Sequence, residues 1–415
     1  MNSDNKPFAF QAMAKPIGPA CNLNCTYCYY LEKHKLYKDT GSFRMSDELL
    51  EKFVKQYIAV QQVSVIQFVW QGGEPALLGL DYFKKVLNLQ EKYAAGKQID
   101  NALQTNGTLL DEEWCAFFKE HNFLIGISID GPKHVHDAHR PFRNGAPSFE
   151  KVMNGISLLQ KYKVDFNTLT VIHRYNAKYA LEIYNFLKFT GSGFLQFIPI
   201  VERTKKIPDS ATLNLVGPDD PEAYVTDWSV RPEEFGDFLI TVFNEWVKRD
   251  VSKVFVQQFD ATLANWVGEN PGICVFSETC GDAVVVEHNG DVYSCDHFVY
   301  PEFKLGNIKE RTLFGLVKSE RQQEFGNNKL SKLPRQCISC EYRFACHGEC
   351  PKHRFEKTPD GEYGLNYLCA AYKKFYRHVY PYMQFMAREL SQNRAPSNVM
   401  GWIQKRGANN IAPLS

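Results

Sequence analysis

The sequence predicts an α/β fold: alternating strands and helices in the first half, then a smaller cysteine-rich part. Three observations lead there. From residue 8 to residue 200, β-branched apolar runs alternate with amphipathic helical stretches, which argues for a parallel sheet, open or closed. Polar and glycine-rich motifs recur where those strands end, and function in parallel (β/α) barrels gathers at that edge. The 12 cysteines are uneven, with three at 21–28, one at 115 and eight between 274 and 369.

In order, residues 8–13 alternate as a first strand and run into the first cysteine group. Ser46 is placed to cap a helix, with Asp47 and Glu48 in its first turn and Leu49, Leu50, Phe53, Val54, Tyr57 and Ile58 on one face. Residues 63–70 form a strand that stops at Gln71-Gly72-Gly73-Glu74-Pro75. A helix over 82–93 leads to a short strand ending in Leu103-Gln104-Thr105-Asn106-Gly107. Residues 111–121 read as a helix, and 123–129 as a strand ending in Asp130-Gly131-Pro132. Helix 149–162, strand 166–172, helix 177–189 and strand 194–200 bring the total to six strands. Beyond them, Pro208, Pro218, Pro221 and Pro232 among acidic residues suggest a surface excursion. Helices over 232–247 and 259–267 then bridge to the second half, where strands 283–287 and 292–294 make a hairpin about Gly290.

At 415 residues the chain is long enough for two or more domains with substantial cores. Hydrophobic and charged fractions of 44% and 23% are those of a globular protein in water. A formal charge of +1 gives no basic field for nucleic acid. No apolar run reaches membrane-spanning length, and residues 1–7 lack a signal-peptide core, so the expected location is cytoplasmic. In that reducing compartment the cysteines point to metal chemistry rather than disulfides.

Cys21, Cys25 and Cys28 stand in C-x3-C-x2-C spacing. Three thiolates in one loop can hold three irons of a 4Fe–4S cube, leaving the fourth for an outside ligand. Zinc, with His34 as the nearby fourth ligand, and three buried thiols stay open on the spacing alone. With the later motifs, the loop resembles the radical S-adenosylmethionine (SAM) superfamily. The resemblance implies a six-stranded partial (β/α) barrel, SAM chelated by the open iron, and cleavage of SAM to a 5′-deoxyadenosyl radical. It further implies that Gly73, in Gly72-Gly73-Glu74-Pro75, receives the methionine amino end, and glycine suits close backbone approach. Ser128 is carried over to the SAM carboxylate or ribose, Arg140 to the SAM carboxylate, and Tyr27 and Leu195 to the adenine. Without the family, a turn serine, solvated arginines and packed Tyr27 and Leu195 are the plain readings of these residues.

Cys280 is followed by Gly290 and Cys295, then Cys337-x2-Cys340-x5-Cys346-x3-Cys350 and Cys369. This resembles the seven-cysteine SPASM pattern of peptide-modifying radical SAM enzymes, and Cys274 makes eight. The resemblance implies two auxiliary 4Fe–4S clusters, one on Cys274, Cys280, Cys295 and Cys350, the other on Cys337, Cys340, Cys346 and Cys369. Fully ligated, both would move electrons rather than bind substrate. Two four-cysteine zinc sites are the alternative. Cys115, on a helix beside Trp114, Phe117 and Phe118, reads as a buried thiol. The expected domains are a radical SAM barrel over 1–240, a helical bridge over 241–273, a SPASM-type domain over 274–385 and a tail over 386–415.

Within the SPASM group the chain resembles the anaerobic sulfatase-maturating enzymes, through residues 21–30, 71–75, 104–107 and 128–132, the eight late cysteines, and Asp296 directly after Cys295. The resemblance covers residues 8 to 385. It implies oxidation of Cys or Ser, within Cys/Ser-x-Pro-x-Arg of an unfolded or nascent sulfatase, to Cα-formylglycine. In that reading three 4Fe–4S clusters and SAM are the cofactors, and a low-potential donor such as a flavodoxin or ferredoxin supplies electrons. The radical takes a Cβ hydrogen, and Asp296 accepts the heteroatom proton if it reaches it. Tyr30 is expected at the cavity rim. Two rivals remain: a SPASM enzyme acting on another ribosomal peptide, and a non-catalytic iron–sulfur or zinc protein. The roughly twenty residues before Cys21 lean against a leader-binding domain, and the three-cysteine loop with the Gly72-Gly73 segment leans against the non-catalytic reading.

Overall fold

The structure, a computed structural model, describes residues 7–37, 43–205, 216–217 and 219–406. Pro208 and Pro218 of the expected excursion, and 407–415 of the expected tail, lie outside the described residues. The six expected strands are present: β1 (Gln11–Lys15), β2 (Val65–Trp70), β3 (Gln98–Thr105), β4 (Leu124–Ser128), β5 (Phe166–Ile172) and β6 (Phe194–Pro199). Helices separate them: α1 (Asp47–Val60), α2 (Leu80–Tyr93), α3 (Glu112–Glu120), α4 (Phe149–Lys161) and α5 (Ala180–Phe189). Among the described residues, no helix is long and apolar enough to cross a membrane.

The chain forms two compact units, each assembled from separated segments. The first comprises Met1–Ser128, His136–Phe166 and Cys280–Asn327; the second comprises Ile129–Val135, Asn167–Thr279 and Asn328–Ser415.

In the first unit β1 to β4 pair in parallel, each with the next. α1 covers them because its apolar residues recur at helical spacing. All six expected face residues are buried, and the Ser46 side chain accepts from the Leu49 N–H at 3.3 Å. Phe53 stacks on Tyr57 at 5.7 Å, and Tyr57 meets Phe68 edge-on at 4.9 Å. Each such ring, fully buried, contributes roughly 1.5–3 kcal/mol. The late hairpin also belongs here. Its first strand, β8 (Ala283–Glu287), lies parallel beside β1 in a register from Gln11↔Ala283 to Lys15↔Glu287. β9 (Asp291–Tyr293) and β10 (Lys304–Asn307) continue antiparallel beyond it. An open edge of β1 would leave main-chain groups unpaired, and the Val284-Val285-Val286 run is apolar enough to cover it.

In the second unit β5, β6 and β7 (Phe255–Val256) pair in parallel. Helices α6 (Pro232–Arg249), α7 (Gln257–Trp266) and α8 (Cys369–Ser391) pack through rings, with Phe243–Phe259 at 5.2 Å and Phe259–Phe375 at 5.7 Å. Gly236 lets α6 approach α8, since a Cβ there would stand 3.2 Å from the Ala371 Cα. α8 runs past residue 385 to Ser391, and after a turn over residues 392–397 a further helix, Asn398–Arg406, buries Val399.

Candidate active site

The three-cysteine loop follows β1 and is strapped by residues 139–143. Asn24 N–H donates to Pro141 O at 2.8 Å, Thr26 N–H to His139 O at 2.9 Å, and the Arg143 Nε to Cys21 O at 2.7 Å. The strap brings Arg140, 6% exposed, against the loop, and its Nη1 donates to the Tyr27 hydroxyl at 3.0 Å. Burial, then the Glu74 carboxylate, pushes the Cys21 thiol up to about 11, while the Arg140 charge pulls the other way. Burial likewise raises Cys28, against the pull of Arg140 and Lys15. Buried thiols that repel one another as anions suit a cationic iron core, which deprotonates and compensates them. The donor set fits a three-cysteine cluster.

Gly73 packs against the cysteine loop. A Cβ there would lie 2.0 Å from Ala20 O, so the close approach it permits is to the cysteine loop's own backbone. Its N–H donates to Gly18 O at 2.8 Å, and Glu74 N–H to Ala20 O at 2.9 Å. The buried Glu74 carboxylate then ties β2 to β3, accepting from Ala76 N–H at 2.9 Å, Thr105 Oγ1 at 2.8 Å and Asn106 N–H at 2.7 Å. Asn106 Nδ2 reaches Asn22 Oδ1 at 2.8 Å and Cys21 Sγ at 3.7 Å. The two strand-end motifs are thus a scaffold for the loop. Glu74 and Asn106 gave no separate signal in the sequence beyond sitting at strand ends. Ser128 ends β4, half-buried; Leu195, 1% exposed, lies in β6 of the second unit, in that unit's core.

Asp296 is held from two sides. Lys15, the last residue of β1 and 1% exposed, makes an ion pair with it. The Tyr29 hydroxyl donates to its Oδ2 at 2.9 Å. Burial works to raise the Asp296 carboxyl, but Lys15, His297 and the two hydrogen bonds outweigh it and hold the group below the usual carboxylate range. Tyr29 follows Cys28 and Asp296 follows Cys295, so one hydrogen bond joins the two cysteine-bearing segments inside the first unit. Tyr30 departs from expectation. It is buried rather than at a rim, its hydroxyl donates to Glu287 at 2.7 Å, and the Lys15 ammonium lies 3.6 Å from its ring centroid. The sequence reading missed Lys15, whose signal was a single cation in an otherwise apolar strand.

The eight late cysteines divide between the units. Cys280 and Cys295 belong to the first, and Cys274, Cys337, Cys340, Cys346, Cys350 and Cys369 to the second. In the second unit, Cys337, Cys340, Cys346 and Cys369 lie within electrostatic reach of one another. Burial and the neighbouring Cys369 push Cys337 up to about 11 and Cys346 up to about 12. Half-buried thiols that repel their neighbours again fit a cationic iron–sulfur core. Among the described residues, no three His, Cys, Asp or Glu side chains converge as a single metal ion requires. Cys115 is fully buried, as expected.

Residues 16–187 match the radical SAM superfamily, and residues 274–341 match the SPASM iron-sulfur cluster-binding domain. The chain is 53% identical over 396 residues to a serine-type anaerobic sulfatase-maturating enzyme of Bacteroides thetaiotaomicron, covering 95% of each chain. It is 34% identical to a cysteine-type enzyme of Clostridium perfringens, over 89% of this chain and 96% of that one. Among solved structures, native anSMEcpe with bound AdoMet and Cp18Cys peptide superposes with a TM-score of 0.79 at 33% identity, covering 92% of this chain and 99% of that one. Streptococcus suis SuiB bound to S-adenosylmethionine shares the fold, with a TM-score of 0.56 at 14% identity, covering 87% of this chain and 77% of that one. With Cys21, Cys25 and Cys28 strapped in one loop, eight further cysteines between 274 and 369, and these matches, the chain belongs to the anaerobic sulfatase-maturating enzymes, radical SAM proteins with a SPASM domain.

Proposed function

We propose that this protein oxidises a Cys or Ser side chain, within Cys/Ser-x-Pro-x-Arg of an unfolded sulfatase polypeptide, to Cα-formylglycine. The observation that carries the reading is Asp296, an ionised carboxylate held by Lys15 and Tyr29 between the segments of Cys28 and Cys295. Cys21, Cys25 and Cys28 would hold the cluster that binds SAM; the eight late cysteines would hold two auxiliary clusters, in the sets Cys274, Cys280, Cys295, Cys350 and Cys337, Cys340, Cys346, Cys369. When bound, SAM and its cluster supply a 5′-deoxyadenosyl radical able to remove a Cβ hydrogen.

The chain's own residues do the rest. Asp296 takes the proton of the target thiol or hydroxyl, general-base work for which position comes first and basicity second. Lys15 keeps the carboxylate ionised and, with Tyr29, fixes its two oxygens in place. Cys295, one residue away, belongs to the set that would hold the electron acceptor. Arg140 is proposed for the SAM carboxylate; Gly73 and Ser128 complete the near side of that site, with Tyr27 and Leu195 against the adenine. The 53% identity to a serine-type relative, against 34% to a cysteine-type one, favours serine as the natural target.

The test is anaerobic. Reconstituted protein is incubated with SAM, dithionite and paired 18-residue peptides differing only in Ser or Cys, then read by mass spectrometry and hydrazine capture. An aldehyde peptide with matching 5′-deoxyadenosine is expected, with turnover of the serine peptide. Deoxyadenosine with both peptides unchanged would move the substrate to another ribosomal peptide, the reading for any SPASM enzyme outside sulfatase maturation.

A further inference from the structure

Arg354 lies just beyond the Cys346–Cys350 segment and is 8% exposed. Its hydrogen bonds all end on main-chain carbonyls: Nε on Gly348 O at 2.8 Å, Nη2 on His347 O at 2.7 Å and on Glu349 O at 3.1 Å, and Nη1 on Lys329 O. Among the described residues no carboxylate is hydrogen-bonded to it, though Glu349 attracts it electrostatically. The Glu349 carboxylate hydrogen-bonds instead to the His353 Nδ1 at 2.9 Å and the Asn366 Nδ2 at 2.6 Å. A buried guanidinium stays charged and is stabilised by each anion within its reach.

Three of those carbonyls, at residues 347 to 349, lie in the segment between Cys346 and Cys350. Cys350, Cys337 and Cys346 all interact with the guanidinium electrostatically. The backbone is shaped for this placement. Gly348 sits at φ +72°, and a Cβ there would stand 2.6 Å from Nη2 and 2.9 Å from Cζ. A residue with a side chain would push the guanidinium out of its carbonyl cradle.

We propose that Arg354 is the built-in counter-charge of the auxiliary iron–sulfur centres held by these cysteines, raising the potential at which they accept an electron. An iron–sulfur centre on four thiolates is anionic, and each electron it takes adds one negative charge. A fixed cation against its ligands stabilises the reduced form more than the oxidised one, and local net charge is among the factors that set these potentials. Arg354 interacts with Cys350 of one expected ligand set and with Cys337 and Cys346 of the other, so it acts on both centres. This rests on the cluster reading of the late cysteines.

The experiment uses the full chain with Cys21, Cys25 and Cys28 changed to alanine, so that auxiliary signals stand alone. Iron is counted, and the centres are titrated with dithionite, one electron each, under electron paramagnetic resonance. About eight irons are expected. Arg354→Gln should lower the midpoint by at least a tenfold change in the reduction equilibrium, about 59 mV for one electron. Arg354→Lys should keep most of the potential. If Arg354→Gln loses iron while Arg354→Lys keeps it, the counter-charge is needed for assembly and the proposal stands. Full iron with an unmoved midpoint in Arg354→Gln would overturn it, as would equal iron loss in both variants, which would make the fork's shape the cause. Absence of iron from the parent chain would sink the cluster reading instead.

Discussion

Asp296 and Lys15 are 281 residues apart in sequence yet form one buried ion pair. Removing one partner of such a pair strands the other charge and costs about 3–5 kcal/mol. Lys15→Met should therefore unfold at lower urea than the parent by about 3 kcal/mol, and Asp296→Asn added to it should recover part of that loss. Additive losses in the double variant would show that the two do not interact in solution. The catalytic prediction separates from the structural one. Asp296→Asn should still release 5′-deoxyadenosine, while aldehyde formation falls at least about 100-fold, the range for removing a general base. Undiminished aldehyde would remove Asp296 from the reaction.

At the scale of elements, the loop between β2 and α2 is fitted to the cysteine loop at van der Waals limits. Gly73→Ala places a methyl 2.0 Å from Ala20 O, backbone that cannot yield without moving Cys21. That variant should lose iron from the first centre, about four atoms per chain, with the second unit's iron retained. Helix α7 carries a separate signature. Burial raises the Asp260 carboxyl to about 7, well above the roughly 3.9 of an unfolded aspartate. Unfolding then releases a proton between those values, so stability should fall as pH rises from about 4 to about 7 and stay level above. Asp260→Asn should abolish that slope, and urea unfolding of both proteins at pH 5 and pH 8 would read it. A parallel pH dependence in the variant would assign the slope to another group.

For the whole molecule, several partly buried thiols in each unit are raised by desolvation, as suits acids that a metal core would deprotonate. Iron binding and folding should be linked, because ligands that bind only the folded state stabilise it. Stripping iron with a chelator under reducing conditions should lower the midpoint of thermal unfolding by several degrees, about 4–8 °C for each 1 kcal/mol per small domain and less in larger ones. Anaerobic reconstitution should restore it. Calorimetry of apo and reconstituted protein checks this, and equal midpoints would mean that the clusters bind preformed pockets without stabilising them.

Local chemistry was legible in the residues themselves. The period of Leu49, Leu50, Phe53, Val54, Tyr57 and Ile58, with Ser46 ahead of them, determined a capped helix and its buried face, since a side chain's direction on a helix follows from its spacing. Six strands, and the cysteine groups that would carry the cofactors, were legible for the same reason: each is encoded within a few residues of itself. Partners across the chain were not. Nothing near Lys15 names Asp296, nothing in the hairpin at 283–293 announces that it will pair with β1, and nothing beside Arg354 shows that its cradle is made of carbonyls. Gly73 marked a close approach, and only the packed loop shows Ala20 on its far side. Periodicity says that a residue is buried; what it is buried against depends on which edges and faces remain open once the other elements have packed, and that was decided only by the tertiary structure.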